Sequence, residues 1–402
     1  MHPSRRDFLA QSAAIGALGI GVETARGYQA NDTIRVACIG TGGRCRGLMK
    51  SLAALPGVKI TGVCDINEAN LDAGRKLADP KAVATRHFRE LLDRTDIDAV
   101  LIATPDHWHV PITVAACAAG KDVYVEKPLT HNIDEGKAVV DAQNTHKRVV
   151  QVGMQQRSMT HLIEAKGLVD AGKLGRVFKV HLTWNRNAPQ PRRQAVETMA
   201  GDLPWKDFLG NAPDQPVDLY KYRQWRWFWD FGGGIFTDLM VHFIDVAHWF
   251  LGLDHPLSAA AIGSSASMAG SWQTPDTVQC LLAYPKDIQI YFEGTFSNAR
   301  NRAMMEFMGT EATLYADRGR FEVHPEDGKT PPTMRVLGTD PRRGLDFYDQ
   351  PDAEGLHLAD WLGATRARTR PRAPAEAGVS AAGAAHLANL ALRRGQVAIW
   401  PG

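Results

Sequence analysis

Ile34-Arg35-Val36-Ala37-Cys38-Ile39-Gly40-Thr41-Gly42-Gly43 is the stretch on which the fold turns. The apolar run Ile34 to Ile39 reads as a buried parallel strand. A glycine-rich turn follows, then a helical pattern from Arg46 to Leu55 that stops at Pro56-Gly57. Strand, glycine turn and helix are the context a dinucleotide fingerprint G-x-G-x-x-G requires. Gly40 and Gly42 fit it, Cys45 holds the third glycine position, and Gly47 follows two residues later. The first two glycines permit the tight turn and a close pyrophosphate approach; the third serves helix–strand packing, where a small thiol is tolerable. Gly40, Gly42, Gly43 and Arg44 are therefore candidate cofactor contacts. Asp65 ends the second strand, Val58 to Val63. A carboxylate there accepts from a ribose 2′-hydroxyl and repels a 2′-phosphate, which favours NAD over NADP. Its alternative use is as a helix cap.

The alternation continues downstream. Helices are expected over Glu68 to Ala78, Pro111 to Ala119 and Ile133 to Thr145, and strands over Ala99 to Ala103, Val123 to Val125 and Val149 to Val152. Such a pattern specifies a parallel sheet covered on both faces. From about Leu174 the texture changes. Val177 to Trp184, Val278 to Ala283, Ile288 to Phe296, Met304 to Met308 and Thr313 to Ala316 read as antiparallel strands, with Gly309 to Ala312 as a hairpin turn. Asn185 to Tyr220, rich in Pro, Arg and Gln, reads as a long irregular loop of the kind that carries function. Helices over Leu356 to Arg368 and Ala381 to Arg394 close the chain. The expected fold is an α/β Rossmann domain (31–152) followed by a second α+β domain (153–402) with a mostly antiparallel open sheet, its C-terminal helices free to pack back on the first domain.

The 402 residues carry a net charge of +2, too balanced for a nucleic-acid binder. Five scattered cysteines, without a C-x-x-C pair, supply neither a disulfide framework nor a zinc site. Ser4-Arg5-Arg6-Asp7-Phe8-Leu9 precedes a small, apolar, uncharged run from Ala10 to Val22, the arrangement of a twin-arginine export signal over residues 1–30. The run is too short for a membrane span, so no stable anchor is expected. Ala25 and Gly27 offer a weak cleavage point. The expected location is the periplasm or another exported compartment. That route carries folded proteins, often with cofactor loaded, into a compartment without a free nicotinamide pool. The cofactor would have to be held tightly.

Four constellations carry chemistry. Glu126-Lys127-Pro128 closes the strand Val123 to Val125, and ligands of doubly wound sheets bind beyond the carboxyl ends of strands. Thr104-Pro105-Asp106-His107-Trp108-His109 leaves the strand ending at Ala103 on the same rim. The H-x-H spacing lacks the further ligands a metal site needs, so no metal is expected, and Asp106 reads as a candidate helix cap. On the helix around Thr237 to Asp245, Asp238, His242, Asp245 and Trp249 fall on one polar stripe beside Leu239, Phe243, Val246 and Phe250. A His beside an Asp suits general acid–base work, although an amphipathic helix with a solvated face gives the same pattern. Upstream, Trp225, Trp227 and Trp229 alternate with Arg226, Phe228 and Asp230. Aromatic faces beside Arg and Asp suit a carbohydrate; a subunit contact, or a core face, would look the same.

With these motifs placed, the chain resembles the glucose–fructose oxidoreductase, inositol dehydrogenase and rhizopine catabolism (Gfo/Idh/MocA) family, from Ile34 to the C-terminus. Glu126-Lys127-Pro128 and the Asp238-x-x-x-His242 helix carry most of the resemblance, with the Gly40 turn and Thr104-Pro105. It implies an NAD-dependent oxidoreductase acting on a secondary alcohol of a sugar, glycoside or cyclitol, usually as a homodimer or homotetramer. Carried over, Lys127 contacts the reacting hydroxyl, His242 exchanges its proton, and Asp238 orients His242 or the substrate. Thr104, Pro105, His109, Glu126 and Lys127 border the cofactor. Arg157, Trp225, Trp227, Trp229, Asp238 and His242 are substrate-side. Some relatives instead use bound NAD to oxidise C3 of a glycoside, eliminate the leaving group, add water and re-reduce, a net hydrolysis. A non-catalytic dinucleotide-binding sensor is a third reading, which does not need Lys127, Asp238 and His242. The departures are Cys45 and Asp106, where many members have Gly and Asn.

Overall fold

The first sheet has six parallel strands, β1 (Ile34–Ile39), β2 (Val58–Cys64), β3 (Val83–Thr85), β4 (Ala99–Ile102), β5 (Asp122–Val125) and β6 (Val150–Val152). The computed structural model describes residues 33–188, 190–193, 203–337 and 351–401. The twin-arginine leader expected over residues 1–30 lies outside them, as does part of the loop expected after Asn185. In space the strands run β3-β2-β1-β4-β5-β6. The order reverses between β1 and β4, which opens a crevice at their carboxyl ends. Ile39 pairs with Ile102, so Gly40 and Ala103 leave the sheet side by side. Gly40 sits at φ +80°, and a Cβ there would lie 2.8 Å from the Thr104 nitrogen. Only glycine meets both demands.

Alternate residues of these strands feed two cores. Val36, Cys38, Leu101 and Tyr124 face the helix Gly43–Ala53 and a C-terminal helix, Pro351–Ala367. Ala37, Ile39, Val100, Ile102, Val123 and Val125 face the opposite way, into a cluster continuous with the second domain. Continuous apolar strands, rather than alternating ones, follow from burial on both faces. The C-terminal helix gives Leu358, Trp361 and Leu362 to the first core. The Trp361 ring centroid lies 5.6 Å from that of Tyr124. The segment is also laced to β6: Gln151 Nε2 donates to the His357 carbonyl at 2.6 Å, and Val152 N to the Ala373 carbonyl at 2.8 Å.

The second sheet has nine strands in the order β14-β13-β12-β11-β7-β10-β9-β8-β15. They are β7 (Val177–Asn185), β8 (Ser258–Ser264), β9 (Thr277–Tyr284), β10 (Ile288–Thr295), β11 (Ala303–Gly309), β12 (Ala312–Ala316), β13 (Arg320–Pro325), β14 (Thr333–Val336) and β15 (Ala398–Ile399). The β7–β10 pair is parallel; the other pairs run antiparallel. On β9, Val278, Cys280, Leu282 and Tyr284 point inward while Gln279, Leu281 and Ala283 point out. The inner face takes the helices Val241–Leu251 and Ala375–Arg394. Fully buried Ala381, Ala384, Ala385 and Ala388 allow the second helix a close approach.

The expected elements shift by a few residues. The first helix begins at Gly43 rather than Arg46, because Gly42 is its N-cap. The stretch expected as one loop from Asn185 to Tyr220 contains the short helix Trp205–Leu209 and the start of another, Leu219–Arg223. Strands β3, β8, β13, β14 and β15 were not legible: β3 and β15 are very short, β8 is alanine-rich, and β13 and β14 mix charges into the alternation. Trp361 fills space between the C-terminal helix and the sheet with no exposed surface. Trp361→Ala is expected to cost about 3–5 kcal/mol, read as a lower urea midpoint with an unchanged slope.

Candidate active site at the switch point of the parallel sheet

The crevice between β1 and β4 opens into a cavity of about 630 Å³. Gly40, Gly42, Gly43 and Arg44 line it from the first turn, Asp65 from the end of β2, and Thr104 and Pro105 from the end of β4. A Cβ added at Gly42 or Gly43 would meet nothing within 4 Å. That open space lies at the N-terminus of the helix Gly43–Ala53, whose first-turn N–H groups have no intrahelical acceptor. A pyrophosphate fits such a cradle. Cys45, in the third glycine position, is fully buried and packs in the same core cluster as Cys38 of β1. A small residue on the strand thus makes room for the thiol.

Asp65 is 7% exposed. Burial pushes its carboxyl up to about 6, although the Asn67 backbone N–H donates to it at 2.8 Å. A ribose hydroxyl would add a donor to a carboxylate that is short of solvation. The expected helix-capping role belongs to Asn67, whose side chain accepts from Asn70 N. These residues fit NAD: glycine cradle, helix N-terminus and an acidic residue at the ribose position.

Beside the cavity lies a charged cluster. The Lys127 ammonium donates to the Asp238 carbonyl at 2.6 Å and to Asp238 Oδ1 at 2.9 Å. Of its three N–H donors, one is left for a substrate oxygen. Arg226 Nε reaches the same Oδ1 at 3.2 Å, and Arg226 also lines the cavity, so it joins the two regions. Burial would raise the Asp238 carboxyl, but Lys127 and then Arg226 reverse this and hold it at about 2. Glu126 accepts from Arg44 Nε at 2.9 Å, and Arg44 also pairs with Glu354 of the C-terminal helix. Burial, then the charges of Lys127, Arg318 and Arg44, lower His242 well below the ordinary histidine value. The ring is therefore neutral at pH 7 and able to take a proton.

The expected Asp238–His242 couple is not formed. Phe236–Met240 is a π-helical turn rather than the start of a regular helix, and Asp238 is turned to Lys127 and Arg226. His242 is positioned by stacking on Trp184, with ring centroids 5.3 Å apart at 26°. Widened turns of this kind recur at functional sites. The Gly232-Gly233-Gly234 run feeds the turn; Gly234, at φ +67°, has no room for a Cβ beside Thr274.

Other expected site residues are placed elsewhere. Arg157 spends Nε and Nη2 on Asp245 at 2.8–2.9 Å and Nη1 on the Arg372 carbonyl at 3.3 Å. It is a structural ion pair at the domain junction, and Asp245, 1% exposed, is no part of a solvated stripe. Trp227 is core, stacked on Trp272 at 4.1 Å. Trp229 lies under the Arg393 guanidinium, and its carbonyl sits 3.0 Å from His131 Nε2. Of the three tryptophans only Trp225 lines the cavity, with Arg226 folded over its ring at 4.2 Å. His109 is buried, its two ring nitrogens 2.6 Å from the Pro128 carbonyl and 2.9 Å from the Thr104 carbonyl. It ties the two cofactor-side loops together instead of facing the groove.

Asp106 does not cap a helix. It is buried near Lys127, Arg226 and Asp238, and burial raises its carboxyl well above the ordinary value. Sequence reading also missed Arg186 and Arg318, whose charges act on Asp238 and His242. Among the described residues, no group of three His, Cys, Asp or Glu is placed to hold a metal ion, and no helix is long and apolar enough to cross a membrane.

A Rossmann sheet with this cradle and with Lys127 at the end of β5, facing Asp238 and a neutral His242 on a helical segment packed against a mostly antiparallel sheet, defines the two-domain nicotinamide-dependent oxidoreductase class. The chain belongs to the Gfo/Idh/MocA family: residues 34–154 match its NAD-binding Rossmann fold and residues 162–315 its C-terminal domain. It is 35% identical over 225 residues to a glycosyl hydrolase family 109 protein of Solibacter usitatus, covering 51% of this chain and 50% of that one. It is 34% identical over 170 residues to an inositol 2-dehydrogenase of Agrobacterium fabrum, covering 42% and 50%. The chain thus spans about half the length of these curated relatives. Levoglucosan dehydrogenase in complex with NADH and levoglucosan shares the fold, with TM-score 0.72, 20% identity, and 92% and 100% of the two chains covered.

Asp65 gives a pH signature. With its carboxyl near 6, the charged acceptor is present above that pH and lost below it. NADH affinity is expected to be full at neutral pH and to weaken about tenfold as pH falls through that value, the worth of one hydrogen bond to a charged acceptor. In Asp65→Asn, titration by fluorescence should show weak binding without the pH step.

Proposed function

We propose that this protein is an exported oxidoreductase that oxidises a secondary alcohol of a sugar, glycoside or cyclitol with a tightly held NAD. The observation that carries the reading is the Lys127 ammonium, anchored on Asp238 with a donor to spare, beside a His242 kept neutral by burial and neighbouring cations. When bound, NAD supplies the hydride acceptor. Lys127 stabilises the alkoxide that develops on the substrate oxygen. His242, uncharged in this setting, takes the hydroxyl proton. Asp238, ionised, fixes Lys127 instead of serving as the base.

The glycosyl hydrolase family 109 relative at 35% identity supports a second reading. There the same oxidation at C3 would acidify the neighbouring C–H, allow the aglycone to leave, and be reversed after water adds. The twin-arginine pattern Arg5-Arg6 and the balanced charge support an exported protein with a small-molecule substrate. The outer face of the second sheet, with exposed Ile262 and Leu281, supports a homodimer or homotetramer.

Purified full-length protein should release NAD on denaturation. Added glucosides or cyclitols should then either reduce the bound NAD, as a dehydrogenase would, or free an aglycone without net NADH, as the hydrolytic cycle would. A protein that neither holds nor binds NAD overturns both. Lys127→Ala is expected to lower turnover by about 10²-fold or more, while NADH affinity by fluorescence titration changes little; unchanged turnover would remove Lys127 from the chemistry.

A further inference from the structure

The wall of the cavity opposite Asp65 and Asn70 is built by the second domain: Asp207, Phe208, Tyr222, Arg223 and Trp225 line it. We propose that the segment Trp205–Arg226 is a strap over the adenosine half of the dinucleotide, with Tyr222 and Arg223 as cofactor-binding residues. The inference rests on the NAD-dependent reading above and supplies a physical basis for cofactor retention.

The strap is fixed near both ends. The Phe208 carbonyl accepts from Trp108 Nε1 at 3.0 Å and lies 2.8 Å from His107 Nε2, so the loop after β4 grips it. Gly210 passes so close to Trp108 that a Cβ would lie 2.6 Å from its ring. At the other end Arg226 is held by Asp238. Between these points the Tyr222 ring packs edge-on to Phe208 at 5.2 Å, and its hydroxyl is directed across the groove to the side chain of Asn70. Burial between the domains raises that phenol, with Asp65 the next contributor. An adenosine moiety needs an apolar face for its base and polar groups for its ribose and phosphate. Tyr222 presents a ring with a hydroxyl at its tip, and Arg223 adds a cation on the same wall. The Rossmann side alone supplies one wall of the groove; the strap supplies the facing one.

The test is a chase on the full chain. Protein loaded with NADH is mixed with excess NAD, and loss of energy transfer from tryptophan to the reduced nicotinamide reports release. Tyr222→Ala and Arg223→Ala are expected to release NADH about tenfold faster, since losses of this kind fall mainly on the off-rate. Reduced nicotinamide mononucleotide, which lacks the adenosine half, should leave wild type and both variants at one rate. Arg223→Gln, a milder change at the rim, decides the matter if Tyr222→Ala fails to fold. Equal NADH release from folded variants and wild type, or equal acceleration of the mononucleotide, overturns the strap. A wild-type protein that never binds NADH instead overturns the cofactor reading beneath it.

Discussion

The contact between Lys127 and Asp238 joins the two domains at the point where chemistry is expected. Lys127 leaves the end of β5 in the parallel sheet, and Asp238 lies in the π-helical turn of the second domain. Both side chains are largely buried, at 13% and 15% exposure. A buried charge without a partner is costly, so neither can be stranded. Each domain supplies the charge that makes the other's tolerable, and this sets where the second sheet stands relative to the crevice. A further tie shares that duty: Arg44, which holds Glu126 within the first domain, also pairs with Glu354 of the C-terminal helix. The C-terminal helix closes the arrangement by giving Trp361 to the core of the first domain.

The parallel sheet was legible because its code is local. β1, the glycine turn and the start of a helix are written in consecutive residues, and Gly40 is required by the backbone of Thr104 pressed against it. The outer strands of the second sheet were not legible, since alanine in β8 and charge in β13, each next to an edge, blur the period of two. The site was legible in part. Lys127, Asp238 and His242 carry a pattern, but the partner of each is set by tertiary placement. Four-residue spacing on an ordinary helix pairs Asp238 with His242; the widened turn separates them and delivers Asp238 to Lys127. The alternating tryptophans illustrate the same limit. Trp225 reaches the cavity and Trp227 is stacked in the core, a division that depends on Trp272, far along the chain.

The electrostatics of the site follow from that division of partners. Asp238, satisfied by two cations, stays ionised, while His242, stacked on Trp184 and facing cations, stays neutral. Asp106 has the opposite fate: burial outweighs Lys127 and Arg226, and its carboxyl is raised. Two aspartates in one cluster are thereby shifted in opposite directions, Asp238 downward by its cations and Asp106 upward by burial. Sequence alone assigns neither role, because it does not say which carboxylate the lysine will claim.

Enclosure of the cofactor constrains the chemistry that can follow. A dinucleotide that exchanges slowly has to be returned to its starting oxidation state within each turnover, or the protein stalls after one. A strap over the adenosine half therefore bears on the reaction class and not only on affinity. In the proposed reading, oxidation of one carbohydrate would then be coupled either to reduction of a second carbonyl or to re-reduction of the same sugar after elimination and hydration. In either proposed cycle Lys127 and His242 would act twice, first relieving the substrate oxygen of its proton and then returning it. Burial and the neighbouring cations keep His242 uncharged and so open to that proton. A neutral His242 and the proposed strap would then serve the same end, a reaction that leaves the cofactor as it began.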